Sequence, residues 1–315
     1  MTASTTWILT DGAAGNEKQA LALARALTRE ATPRHVVARA PWRWFAPRWV
    51  PGSASALGAA LTPPWPALAI GCGRQGALAL RWLARASAGT TKTVQILDPR
   101  IAPGAFDLVI VPAHDVLRGD NIIVARGALH GVDDGFLAQA RLEWPALGAL
   151  PGPRTAVLLG GPNRALNLDL DYWRGLAGKL GHWLHRDGGS LLLSTSRRSP
   201  DWLRDAARKE FSAVPGLQWH GPDDGPNPYA GMLAWADRIV VTPDSVNLLS
   251  EACATTAPVL CHLARPLRGK LAGNYRDLLD AGRVRPMQAD YTPWPVEPLH
   301  DTDAVAAQVR QRLAL

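Results

Sequence analysis

The run VVTPDSVNLLSEACATTAPVL, residues 240–260, holds the richest chemistry in this chain. Its apolar ends read as buried strands, and Asp244 and Ser245 stand at the turn into a helix. The free amides of a helix start, beside those two side chains, suit a phosphate group. Asn247 and Glu251 are four residues apart and share one helix face. Glu251 falls about two turns along, where its carboxylate can accept hydrogen bonds from ribose hydroxyls. The plainer alternative is a capped helix, with Ser245 as cap and Glu251 on the surface.

Other strand ends carry similar groups. LGGPN (residues 159–163) places Gly160, Gly161 and Asn163 after an apolar run, where backbone can approach a donor phosphate closely. It lacks the GK[ST] ending of a P-loop, which disfavours an ATPase of that class. STSRR (194–198) offers the hydroxyls of Ser194 and Ser196 and the forked guanidinium groups of its arginines, Arg197 foremost, to a diphosphate; the alternative is a solvated loop and helix cap ahead of Pro200. TDGAAGNEKQ (10–19) supplies Asp11, Gly12, Gly15 and Asn16 for an acceptor, with Asp11 as a general base or as a cap for the next helix. PAHD (112–115) adds His114, a base suited to neutral pH, and Asp115 to orient it. No metal-ligand spacing occurs, and no cofactor is expected beyond the substrate. The three cysteines, Cys72, Cys253 and Cys261, form no CxxC pair and read as buried thiols in a reducing cytosol.

These groups need a scaffold of 315 residues, enough for two domains. Short apolar strands alternate with amphipathic helices, which predicts parallel sheets covered on both faces. In the first half strands are expected at 7–10, 35–39, 67–71, 93–97, 108–112 and 122–125, with helices at 15–30 and 75–86. The Pro/Gly-rich run PALGALPGP (145–153) is the expected linker. Strands then follow at 155–159, 190–194, 217–220, 238–242 and 259–262, with helices at 168–186, 201–211, 229–236, 246–254 and 301–313. The expected fold is α/β with two Rossmann-like parallel-sheet domains facing a cleft: residues 1–150 for the acceptor and 151–290 for the nucleotide donor. Residues 291–315 form a tail and helix that packs back on the first domain.

The net charge of +7 is unevenly spread. No acidic residue occurs from Ala31 to Leu97, where seven arginines and a lysine fall. That field suits an anionic partner, whether phospholipid, phosphorylated glycolipid or nucleic acid. Within it lies PWRWFAPRWVP (41–51). Its prolines oppose a continuous helix. Trp42, Trp44, Phe45 and Trp49, interleaved with Arg43 and Arg48, suit a lipid interface. Nucleic acid is disfavoured as a partner because no recognition motif accompanies the charge. Neither a signal peptide nor a spanning helix is expected.

TDGAAGNEKQA, PWRW, PAHD…NIIVARGALH, LGGPN and TPDSVNLLSEA, in this order and spacing, resemble the mitochondrial-fission Elm-type family of plant and bacterial proteins. Such proteins are similar to two-domain GT-B glycosyltransferases, whose donor site includes a serine-to-glutamate helix like PDSVNLLSEA. The resemblance implies a metal-independent transferase that uses a nucleotide diphosphate sugar and an anionic or lipid-linked acceptor at the cell envelope. The first loop, DGAAGN, replaces the glycine-rich loop with histidine seen in those enzymes, so no catalytic histidine carries over there. The rival expectation is a non-catalytic membrane-surface adaptor on the same fold. The Arg- and Ala-rich, lysine-poor composition points to a high-GC bacterial gene. The expected location is cytoplasmic, with peripheral contact at the inner face of the cytoplasmic membrane.

Overall fold

A computed structural model describes residues 5–163 and 166–315. The chain forms two units, residues 1–131 with 301–315, and residues 132–300. In the first unit the elements are β1 Thr6–Thr10, α1 Ala14–Ala26, β2 Ala31–His35, the single turn α2 Trp42–Phe45, β3 Leu68–Cys72, α3 Gly73–Ala86, β4 Lys92–Ile96, β5 Leu108–Pro112 and β6 Ile122–Ala125. The strands form one parallel sheet in the order β2-β1-β3-β4-β5-β6. TWILT, LAIGC and LVIVP are buried at every position, as strands covered on both faces must be. Their two-residue period sorts the side chains into two layers. Trp7, Leu9, Ala69 and Val109 join Leu78, Leu80 and Leu83 of α3, while Ile8, Ile70, Val94 and Ile110 join Leu23 and Leu27 beside α1.

The second unit opens with α4 Asp134–Glu143 and the turn α5 Pro145–Gly148. It continues through β7 Arg154–Leu159, α6 Leu170–Asp187, β8 Ser190–Thr195, α7 Asp201–Glu210, β9 Gly216–Trp219, α8 Tyr229–Trp235, β10 Arg238–Val241, α9 Val246–Cys253, β11 Val259–Cys261, α10 Gly269–Asp280 and β12 Val284–Pro286. Its sheet is also parallel, in the order β12-β11-β10-β7-β8-β9. The chain then returns to the first unit with α11 Asp301–Leu313. Val305, Ala306 and Val309 of α11 enter the α1 layer. Thr302 accepts from the His130 amide at 3.0 Å and donates to its carbonyl at 2.8 Å.

Three sequence expectations need correction. The second strand is Ala31–His35, not 35–39: it is a sheet edge where Pro33 is tolerated, its pairing ends at Thr10 and His35, and Val37 is exposed. The first unit ends at Gly131, not near residue 150, because α4 and α5 pack on α8, and Gly148 lies so close to the Trp235 ring that a Cβ would meet it at 2.6 Å. The second unit runs to His300, not 290: Leu299 donates its amide to the Cys253 carbonyl at 2.9 Å, and the Tyr291 ring lies 5.4 Å from that of Trp183. The sequence pattern predicts none of α4, α10 and β12, nor the single turns α2 and α5. Only Leu137 and Ala140 are buried in α4, too few to mark a helical stripe.

Candidate functional site

Strands β10, β7 and β8 are neighbours in the second sheet, so the loops at their carboxyl ends lie side by side. In open α/β sheets that edge is the usual place for ligands. Asp244 ties the three loops together. Its carboxylate accepts from Arg198 Nη2 at 2.6 Å, the Gly161 amide at 3.1 Å and Thr242 Oγ1 at 2.7 Å. The side chain is 0% exposed, whereas that of Arg198 is 49% exposed. The carboxylate is therefore turned inward as a structural bridge, not outward to a phosphate as the motif alone suggested. Gly160 and Gly161 make this bridge sterically possible. A Cβ on Gly160 would come within 1.9 Å of Asp244 Oδ1, and one on Gly161 within 2.4 Å of Arg198 Cβ. Asn163 completes the lock, donating from Nδ2 to the Asp244 carbonyl at 2.9 Å and accepting from the Leu166 amide at 2.9 Å.

Ser245 caps α9, its Oγ accepting from the Leu248 amide at 3.4 Å. Asn247 sits partly buried in the first turn. Glu251 is buried, not on the surface, and accepts from Tyr229 Oη of α8 at 2.5 Å. Burial, then the Glu251 charge, pushes the Tyr229 phenol well above its ordinary range, so the ring keeps its proton. In the third loop, Ser194 is buried in β8. Ser196 donates its amide to Leu159 O at 2.8 Å, and its hydroxyl accepts from the Arg198 amide at 3.2 Å. Ser199, Thr242 and Tyr229 are not singled out by the sequence, although the Ser199 hydroxyl donates to Gly160 O at 2.5 Å and joins two of the loops. Arg197 is exposed and borders a cavity of about 440 Å³ that also meets Arg204, Arg208, Trp219 and His220. Burial, then the Arg208 charge, lowers the His220 pKa.

In the first unit, Asp11 follows β1. Its Oδ1 accepts from Asn16 Nδ2 at 3.0 Å and the Ala13 amide at 3.2 Å. Asp11 thus braces the loop, while the helix N-cap is Ala13 with no side-chain bond. Asn16 reaches on to β3: Cys72 Sγ donates to its Oδ1 at 3.5 Å, and Gly73 (φ +76°) leaves room for its amide. Gly12 takes φ +77°, and a Cβ there would lie 3.7 Å from the His35 ring; Gly15 belongs to the first turn of α1. His35, at the carboxyl end of β2, sits 2.9 Å by Nε2 from Glu17 Oε2 of α1. The expected strand at 35–39 had put His35 at the opposite end, which is why the pair was missed.

His114 and Asp115 follow β5, three inter-strand steps from β1, roughly 14 Å away. The sheet order therefore does not bring them to Asp11. Arg118 wraps their turn, donating to the Ala113 carbonyl at 2.9 Å and to that of Asp115, and Asp115 is buried. In the 41–51 segment Trp42 packs on the core, while Arg43, Trp44, Phe45, Arg48 and Trp49 are exposed. Among the described residues no helix is long and apolar enough to cross a membrane, and no group of three or more His, Cys, Asp or Glu could hold a metal.

Two parallel six-stranded α/β units, with their loops gathered at strand ends, define a protein of the GT-B fold class. Two solved structures carry the likeness. UDP-GlcNAc 2-epimerase from Methanocaldococcus jannaschii has a TM-score of 0.56 at 11% identity, covering 96% of this chain and 91% of that one. Arabidopsis thaliana UGT89C1, complexed with quercetin, has a TM-score of 0.51 at 10% identity, covering 98% and 90%. The family described as "Mitochondrial fission ELM1" matches residues 14–313, and the chain belongs to that family. The mitochondrial fission protein ELM1 of Arabidopsis thaliana is 32% identical over 277 residues, covering 79% of this chain. The aligned region spans 64% of that relative's length.

Proposed function

We propose that the chain binds a nucleoside diphosphate sugar on its second unit and transfers the sugar to an anionic or lipid-linked hydroxyl acceptor held by the first. The observation that supports this most is the Asp244 bridge. It ties Gly161, Arg198 and Thr242, at three neighbouring strand ends, to the residue before the α9 cap, so that backbone amides at that helix start, with Arg197, meet a diphosphate. Those groups stabilise the charge that develops on the departing diphosphate. Glu251, oriented by Tyr229, and Asn247 hold the sugar-ring hydroxyls of the nucleoside. On the first unit the acceptor proton goes to His35, which Glu17 orients; Asp11 is committed to bracing its own loop.

The test is a titration with UDP, UDP-GlcNAc and the other common nucleoside diphosphates, read by calorimetry and thermal shift. Saturable binding of one nucleotide, weakened at least tenfold by Glu251→Ala, is the expected result. Binding unaffected by that change removes the donor-site assignment. Silence across the whole panel leaves a non-catalytic adaptor on the same fold.

A further inference from the structure

The exposed aromatic group of residues 44–49 has no part in the chemistry above. Trp44 is 65% exposed, Trp49 54% and Phe45 41%. Phe45 and Trp49 stack with ring centroids 4.1 Å apart and planes 17° apart. Three large rings displayed within six residues form an apolar patch of the kind soluble surfaces avoid unless something covers it. The segment is not loose. Ala46, Pro47 and Pro51 are buried, and Trp42 packs on the core below. Arg74 and Arg81 of α3 fasten it from beneath, Arg74 donating to the Arg43 carbonyl at 3.0 Å and Arg81 to the Arg48 carbonyl at 2.9 Å. Arg43 and Arg48, whose carbonyls are so held, are themselves exposed and lie among the aromatic residues in sequence. No carboxylate occurs between Ala31 and Leu97 to neutralise them.

We propose that this patch docks on the surface of an anionic lipid bilayer. The rings would enter the boundary between headgroups and acyl chains, where an aromatic body meets hydrocarbon and its edge meets water. Arg43 and Arg48 would meet lipid phosphates, each adding attraction that fades with salt. Charge complementarity selects this occupant: exposed Arg43 and Arg48, in a stretch with no acidic residue, disfavour a second copy of the same segment and match an anionic sheet. Pre-fastening of the backbone lowers the ordering cost of docking. The proposal stands whether or not the chain transfers a sugar.

The experiment is co-sedimentation of the full chain with phosphatidylcholine vesicles, with and without phosphatidylglycerol, at low and high salt. Wild type should pellet with the anionic vesicles at low salt and stay in the supernatant with pure phosphatidylcholine. Arg43→Gln with Arg48→Gln should weaken partitioning roughly tenfold or more. Trp44→Ser, Phe45→Ser and Trp49→Ser together should abolish it, with thermal melting unchanged because these side chains lie outside the core. Wild type that ignores anionic vesicles at low salt overturns the proposal. So does a triple variant that pellets like wild type, since general charge would then suffice. A wild-type dimer in solution that the triple variant dissolves, without vesicle binding, assigns the patch to self-association and overturns it equally.

Discussion

Asp244 and Arg198, 46 residues apart in sequence, meet at 2.6 Å with the carboxylate sealed from solvent and the guanidinium half open. The pair joins the loop after β8 to the loop after β10. Removing the arginine would leave a buried carboxylate with only neutral donors. Arg198→Ala should therefore cost about 2–3 kcal/mol in urea unfolding, below the full cost of breaking a sealed pair because one partner is solvated. The double variant Asp244→Ala, Arg198→Ala should lose less stability than the two single losses added together, although Gly161 and Thr242 also lose their acceptor in it. Strict additivity of the two losses would deny the pairing its role.

Gly161→Ala should move the loop, because the new methyl would sit 2.4 Å from Arg198 Cβ and 2.5 Å from its backbone. Nucleotide binding should fall at least tenfold, with a lower melting temperature. Gly178→Ala is the matched control. That glycine lies mid-helix in α6 with nothing near its added carbon, so the change should stabilise by about 0.5–1 kcal/mol. Equal effects at the two sites would mean that the close approach at Gly161 is irrelevant.

His262 sets an acid limit on stability. It follows β11, buried edge-on against Tyr172, and Gly175 of α6 leaves space for its ring. Burial, then the Lys179 charge, lowers its pKa to about 4 from an ordinary 6.5, while an interaction with the Tyr172 backbone opposes the shift. The unfolded chain therefore takes up a proton before the native one does. The stabilisation is complete above pH 6.5 and is lost as pH falls toward 4, amounting to about 3 kcal/mol. Unfolding free energies at pH 7 and pH 4.5 should show the loss, and His262→Leu should flatten that part of the profile.

His35→Gln should lower sugar transfer by about a hundredfold or more while leaving nucleotide affinity and melting temperature in place. Glu17→Gln should produce a smaller loss of the same kind. An unaffected rate in His35→Gln would return the choice of base to the other groups on that sheet edge.

Much of this was legible in the residues because alternation and burial report strands directly. LVIVP and IIVA appear where expected, and TPDSVNLLSEA is a strand end, cap and helix. What the sequence hid was direction and distance. Asp244 reads as a ligand group until the fold shows Gly161 and Arg198 closing on it from other strands. His35 hid for a different reason: an edge strand containing Pro33 and Arg34 lacks the apolar period that marks buried ones, so its end was misjudged by four residues. Glu17, on the preceding helix α1, therefore has no visible partner in the sequence.

The return of the chain to its starting unit gives the two units different timetables during synthesis. Residues 132–300 are contiguous, so every strand of the second sheet is present once His300 has been added. The first unit, begun earlier, still lacks the helix that carries Val305, Ala306 and Val309 over α1. On a ribosome that adds residues in order, the earlier-started unit is the later to close. A nascent chain stalled before residue 301 would display the bare apolar side of α1 beside a completed neighbour, an invitation to chaperones that the finished protein withdraws.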